Sequence, residues 1–314
     1  MVKKSLSIYK RERPRKIDKY NLNNNKLFTN TRINAMLLMV LGSSIISFAG
    51  LIIRGMDTAG PLQISLYRGL ALSFTILLIL TLRYQTNTLR KITGVGGSGI
   101  LAGILLASAG ICFIQAITST TVAATLFILA SIPFISAFLA RILLNERVSR
   151  QTLITMIIAG FGVSLMMVSG LRSNSFYGTS MALITAFCFS GYAIMLRKNK
   201  DIEMLPSVLI SGLVICLVCL SILGQDIAIS WLDLLKCILL GSIISFIPNS
   251  LFVYASKYLI AAELTLFMLL EFALGPFWVW LFIDEVPAFW TLIGGSSVIM
   301  AVIIYVWSEM QTKK

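Results

Sequence analysis

The chain has 314 residues, of which 57% are apolar and only 12% charged, and its mean hydropathy is +0.89. A soluble domain carries about a quarter charged residues, so a soluble globule is excluded, and apolar runs of bilayer-crossing length indicate a polytopic all-α membrane protein. The formal charge is +13, from 26 Lys and Arg against 13 Asp and Glu. In a soluble protein that balance would raise nucleic-acid binding, but here its position along the chain gives it another meaning.

Residues 1–32 hold ten basic side chains (Lys3, Lys4, Lys10, Arg11, Arg13, Arg15, Lys16, Lys19, Lys26 and Arg32) against Glu12 and Asp18. With Asn21, Asn23, Asn24 and Asn25 among them, the segment is too polar to build a core and is expected to be a disordered cytoplasmic tail. As a basic leader it sets topology; contact with anionic lipid, worth about 1 kcal/mol per basic residue at the surface, is the alternative role. It lacks an interleaved aromatic platform, so no nucleic-acid partner is expected.

A hydrocarbon core about 30 Å thick needs roughly 20 apolar residues at 1.5 Å each. Spans are expected at 33–53, 62–82, 94–116, 121–143, 151–170, 178–196, 206–224, 234–255, 261–283 and 287–307. The first run has spanning length and lacks an Ala-x-Ala-like exit site, so it is a transmembrane helix and no cleaved signal. With the N-terminus inside, 22 of the 26 basic residues fall on the cytoplasmic side; Arg54, Arg172 and Lys236 lie outside or at helix starts, and Arg68 lies within the second span. Positive-inside bias therefore predicts ten spans in the plasma (inner) membrane with both termini cytoplasmic.

All five cysteines lie in apolar runs, and Cys216 and Cys219, although a CxxC, lack polar neighbours and read as packing residues. There is no histidine, metal-ligand cluster, phosphate-binding glycine loop or nucleophile triad in the sequence, so no metal, cofactor, enzyme activity or ATP-driven pumping is expected. In the third span Gly99, Gly103, Ala107 and Gly110 form a small-residue stripe, read as helix packing.

Residues 113–146 can be laid over 252–285 without a gap: Phe113, Gln115 and Ala116 over Phe252, Tyr254 and Ala255, Ala123 over Ala262, and Asn145-Glu146 over Asp284-Glu285. The second copy comes five spans later, and because five is odd the halves cross the membrane in opposite senses. The chain thus divides into repeats at 33–170 and 178–308, an inverted five-plus-five arrangement that in carriers places a substrate site near the midplane and opens it alternately to each side. The same symmetry can survive as a trace of duplication in a channel.

Within this frame Gln63-Ile-Ser-Leu-Tyr67-Arg68-Gly-Leu-Ala, then Ile132-Pro133-Phe134 followed by Ala140 to Glu146, then Leu270-Glu271-Phe272 followed by Trp278 to Glu285, occur in order. These segments over residues 33–308 resemble the motifs of the drug/metabolite transporter superfamily, in particular its EamA-like permeases. The resemblance implies a secondary transporter, often an exporter of amino acids or other small metabolites. Phe272 stands where that family usually carries Pro, with Pro276 four residues later, so the kink of the ninth helix is expected about one turn further on.

A charge inside the bilayer costs at least about 2.5–3.5 kcal/mol and needs a partner or a wet cavity. Glu271, ten residues into its span, is therefore the leading candidate for proton coupling or for a cation-side substrate contact, and Arg68 for anion recognition or an interfacial anchor; pairing of the two to lock the bundle is the purely structural alternative. Without histidine, a membrane proton relay must use carboxylates. Glu263, eight positions before Glu271, is expected to be solvated near the cytoplasmic mouth. Tyr67, Gln115, Tyr192, Asn249, Tyr254, Glu263 and Trp278 are candidate cavity residues, Gln115 and Tyr254 being repeat equivalents. Pro133, Pro248 and Pro276 are candidate hinges. The reading is a secondary active carrier of small polar metabolites, with amino acids favoured, working by alternating access with proton coupling and export; a passive channel or lipid-translocating protein is the alternative. The expected partners are a small-molecule substrate and membrane lipid, with a homodimer left open.

Overall fold

The computed structural model describes residues 17–120, 122–167, 175–283 and 289–311, and among the described residues every regular element is helical. Among the described residues nine helical segments are long and apolar enough to cross a membrane: α1 (Thr31–Ile53), α2 (Pro61–Thr93), α3 (Gly96–Ser119), α4 (Ala124–Leu143), α6 (Phe176–Lys198), α7 (Leu205–Leu223), α8 (Trp231–Ala255), α9 (Ala261–Phe282) and α10 (Phe289–Gln311). A shorter apolar helix, α5 (Arg150–Met167), lies between α4 and α6. The protein is a polytopic α-helical membrane protein.

Local chemistry sets the ends of these helices. Pro61 and Pro206 sit in the first turns of α2 and α7, where a missing N–H costs nothing. Ser175 and Ser230 cap α6 and α8, each side chain accepting from a backbone N–H three residues on, at 3.2 Å in both cases. The first, continuous part of α2 ends at Tyr84, where Gln85 takes a φ of 46°, and a short turn and helix carry α2 on to Thr93. The helix that contains α1 begins at Ile17, not at the bilayer edge. Part of the tail expected to be disordered is therefore helical: no Gly or Pro occurs between Pro14 and Gly42, so a helix nucleated in the apolar segment propagates outward one hydrogen bond per residue. Residues 1–16 lie outside the described residues.

Large apolar side chains such as Phe74, Leu217 and Phe161 face outward, as they do where the surroundings are lipid. Helix association instead uses small residues. A Cβ on Gly212 of α7 would lie 2.9 Å from the Gly69 carbonyl oxygen of α2, and one on Gly162 of α5 would lie 2.7 Å from that of Gly294 on α10. The packing pairs repeat under a shift of five helices: α3 on α6 matches α8 on α1, α3 on α7 matches α8 on α2, and α4 on α6 matches α9 on α1. The pairs α2 with α7, α4 with α9 and α5 with α10 map onto themselves. Arg32, at the start of α1, lies 3.7 Å from Glu309, near the end of α10. Both ends of the helical bundle thus emerge together, as an even number of crossings requires.

Two walls follow from this packing. α1, α8 and α9 form one, and α3, α4 and α6 form the other.

Candidate functional site

Four helices lose regularity within their spans beside one cavity. α1 is interrupted at Ser47 and Phe48, α4 at Ala130 and Ser131, and α9 at Met268, while α8 carries a wide-turned π segment over Leu240–Ser245. Irregular backbone at membrane depth is tolerated only inside protein or around a water-filled cavity. A cavity lies there between the two walls, with about 1080 Å³ of unfilled space, part of it continuous with solvent.

Its lining reproduces the repeat. Leu106 and Ser245, Ala109 and Pro248, Gly110 and Asn249, Phe113 and Phe252, Leu129 and Met268, and Ile132 and Glu271 all face it. The members of each pair are 139 positions apart, the offset that lays residue 113 on 252. Within these pairs the polar members come from the second copy: Ser245, Asn249 and Glu271 stand opposite Leu106, Gly110 and Ile132, while the first half adds Ser43 and Arg68 from outside the pairs.

Arg68 enters the cavity from α2. Its Nη1 is 3.5 Å from Ser245 Oγ, a weak contact, and its buried Nε lacks a partner among the described residues. A Cβ on Gly110 would lie 3.0 Å from Arg68 Nη2, so the glycine makes room for the guanidinium. Asn249 Nδ2 donates to the Ser245 carbonyl at 2.8 Å, leaving its amide oxygen for another contact. Glu271 enters from α9, in the same wall as Ser245 and Asn249, and among the described residues no ion pair joins it to Arg68 or to another cation. One guanidinium and one carboxylate, separated by mostly apolar side chains, can hold a small solute by both ends.

The structure brings Arg68, Asn249, Glu271 and Pro248 to the cavity and places the other candidates elsewhere. Gln115 and Tyr254 share a repeat position but follow Phe113 and Phe252 by two residues, which is about 200° of helix rotation. Since the phenylalanines face the cavity, these two face away, and Tyr254 packs on Tyr258 at 5.3 Å. Tyr192 is fully buried and stacks on Phe252 at 5.9 Å, beneath the cavity. Tyr67 donates to the Ile227 carbonyl at 2.7 Å and ties α2 to the loop before α8. Trp278 stacks on Phe48 at 4.3 Å and donates to Ser47 Oγ at 2.7 Å, bracing the break in α1.

Glu263 is 3% exposed and not solvated. Its Oε1 accepts from Arg32 Nη2 at 2.6 Å and from Tyr305 Oη at 2.8 Å, and Tyr305 is linked to Thr152 at 3.3 Å. This buried position is affordable because the carboxylate is paired and hydrogen-bonded. Pro133 lies in the first turn after the α4 break. The α9 break falls at Met268, and helix Leu269–Ile283 continues through Pro276, so the kink precedes Glu271 and does not follow it; the Pro276 side chain lies outside the described residues, as do Asp284 and Glu285. Gly110, read from its stripe as packing, is the cavity residue that the sequence pattern concealed.

A solved structure titled "Crystal structure of protein" is similar in fold, with a TM-score of 0.66 and 13% identity over 90% of this chain and 99% of that one. No curated protein gives a significant match. Residues 33–168, which supply α1 to α4 and α5 with the first-half side of the cavity, match the family model described as "EamA-like transporter family", part of the drug/metabolite transporter superfamily.

Proposed function

We propose that this membrane transporter is a secondary active carrier of small polar metabolites, with amino acids as the favoured class, and that it works by alternating access in the export direction. The observation that supports this most is the cavity itself: equivalent positions of both repeats line it, and it holds Arg68 from α2 and Glu271 from α9, neither of which has an ion-pair partner among the described residues. An amino acid presents the complementary carboxylate and ammonium. On this reading Arg68 receives the carboxylate, and Glu271 receives the ammonium or, between substrates, a proton, which would couple transport to a proton gradient. Positive-inside bias supports cytoplasmic termini in the plasma membrane.

The test is counterflow in proteoliposomes loaded with pooled unlabelled metabolites, following entry of labelled amino acids, organic cations and nucleosides with and without a pH gradient. Saturable accumulation of labelled amino acids is expected. Non-saturating flux would identify a passive channel, and lipid movement without solute flux a lipid translocator.

A further inference from the structure

We propose that Arg197 is a clasp that shuts the cavity at the end bearing the termini, and that it must release for the cavity to open there. The cavity lining on α1 runs from Met39 to Ile53, toward the far end of that helix. In the direction of the termini it stops at an aromatic floor, where Phe252 meets Phe189 at 5.4 Å and Tyr192 at 5.9 Å across the two walls. Arg197 lies eight residues beyond Phe189 on α6, about 12 Å further at 1.5 Å per residue.

The side chain is anchored on its own wall and reaches across to the other. Its Nε pairs with Glu146 Oε1 at 2.6 Å, in the segment that follows α4. Its Nη1 donates to the carbonyls of Ser256 and Lys257, at 3.1 and 3.0 Å. Those carbonyls belong to the C-cap residue of α8 and the residue after it, beside a helix end that carries partial negative charge. A guanidinium capping that terminus is a charge-assisted contact from the wall of α3, α4 and α6 to the wall of α1, α8 and α9. The other ionic cluster at this end, Arg32 with Glu263, joins α1 to α9 within one wall and so can persist when the walls part.

The clasp is built to come undone. Buried ion pairs come close to breaking even against the desolvation of their members, and here Glu146 Oε2 is buried without a partner among the described residues. Opening this end would return Arg197, Glu146 and the two carbonyls to water together.

Access to the cavity from each side tests this without any substrate, so its failure and a failure of the transport reading are separable. In a full-length chain with its five cysteines replaced by serine, Asn249→Cys on the cavity wall is labelled with a membrane-impermeant sulfonated maleimide, in vesicles sorted into single orientations by a C-terminal tag. With the clasp intact, labelling is fast from the far side and slow from the termini side. Arg197→Gln should raise the termini-side rate by about tenfold or more, the population shift expected when a charged hydrogen bond is lost, and should lower the far-side rate. Glu146→Gln, which keeps the arginine but frees it, should shift both rates in the same directions by less, and it serves as the test if Arg197→Gln does not fold. Rates that rise on both sides would show that Arg197 only holds the bundle together, and unchanged rates would show that the closed end is shut by packing alone; either result overturns the proposal.

Discussion

Gly110→Ala separates the cavity from the scaffold. Two terms favour the folded variant or leave it unharmed. Alanine is better than glycine inside a helix by about 0.8–1 kcal/mol, and the new Cβ would meet only the tip of a flexible side chain, Arg68 Nη2, at 3.0 Å where ordinary contact begins at 3.4 Å. The guanidinium must therefore retreat by about 0.4 Å, which its torsions absorb. Function should not absorb it so easily: displacement of a positioned group by a fraction of an ångström costs about three- to tenfold in rate or half-saturation. Gly162→Ala is the counterpart, because its Cβ would lie 2.7 Å from the Gly294 carbonyl oxygen, a backbone atom that cannot step aside; overpacking of that kind costs about 1–3 kcal/mol. Thermal unfolding in detergent and counterflow in proteoliposomes should give opposite patterns, with Gly110→Ala stable but slow and Gly162→Ala unstable. If Gly110→Ala were destabilised as much as Gly162→Ala while its transport per folded molecule was unchanged, Gly110 would be packing and the placement of Arg68 irrelevant to the solute.

Glu271→Gln should insert and keep exchange of solute for solute, yet lose accumulation driven by a pH gradient; retained pH-driven accumulation would remove Glu271 from coupling. Asp233 accepts from Thr58 N at 2.9 Å, Thr58 Oγ1 at 2.6 Å and Ala59 N at 3.2 Å, so Asp233→Ala should release this loop to water and raise amide exchange across residues 56–60. Trp278→Phe keeps the stack on Phe48 but loses the bond to Ser47, and should cost about 0.5–1.5 kcal/mol of stability with little change in half-saturation, measured by thermal unfolding beside counterflow.

Hydropathy and charge placed the helices to within a few residues because lipid demands long apolar runs, and a gap-free self-alignment was enough to mark which positions of the two halves correspond. Correspondence does not say which face is which: Gln115 and Tyr254 match each other, yet both point away from the cavity because the adjacent phenylalanines occupy it. Arg32 looked like one more charge in a basic tail, and Glu263 like a solvated carboxylate; only the meeting of α1, α9 and α10 makes them a buried pair. The break at Met268 has no glycine or proline to announce it. It arises from position, since its repeat equivalent is Leu129, at the end of the first segment of α4.

The one-sided polarity of the cavity bears on kinetics. The two repeats correspond position by position, but the groups that would hold a solute do not: Arg68 of α2 comes from the first half, and Ser245, Asn249 and Glu271 come from the second, where their counterparts in the first are Leu106, Gly110 and Ile132. A solute leaving toward one face must shed these contacts in a different order from one leaving toward the other. Half-saturation constants measured from the two faces should therefore be unequal, while detailed balance keeps the ratio of forward to backward flux a function of the gradients alone.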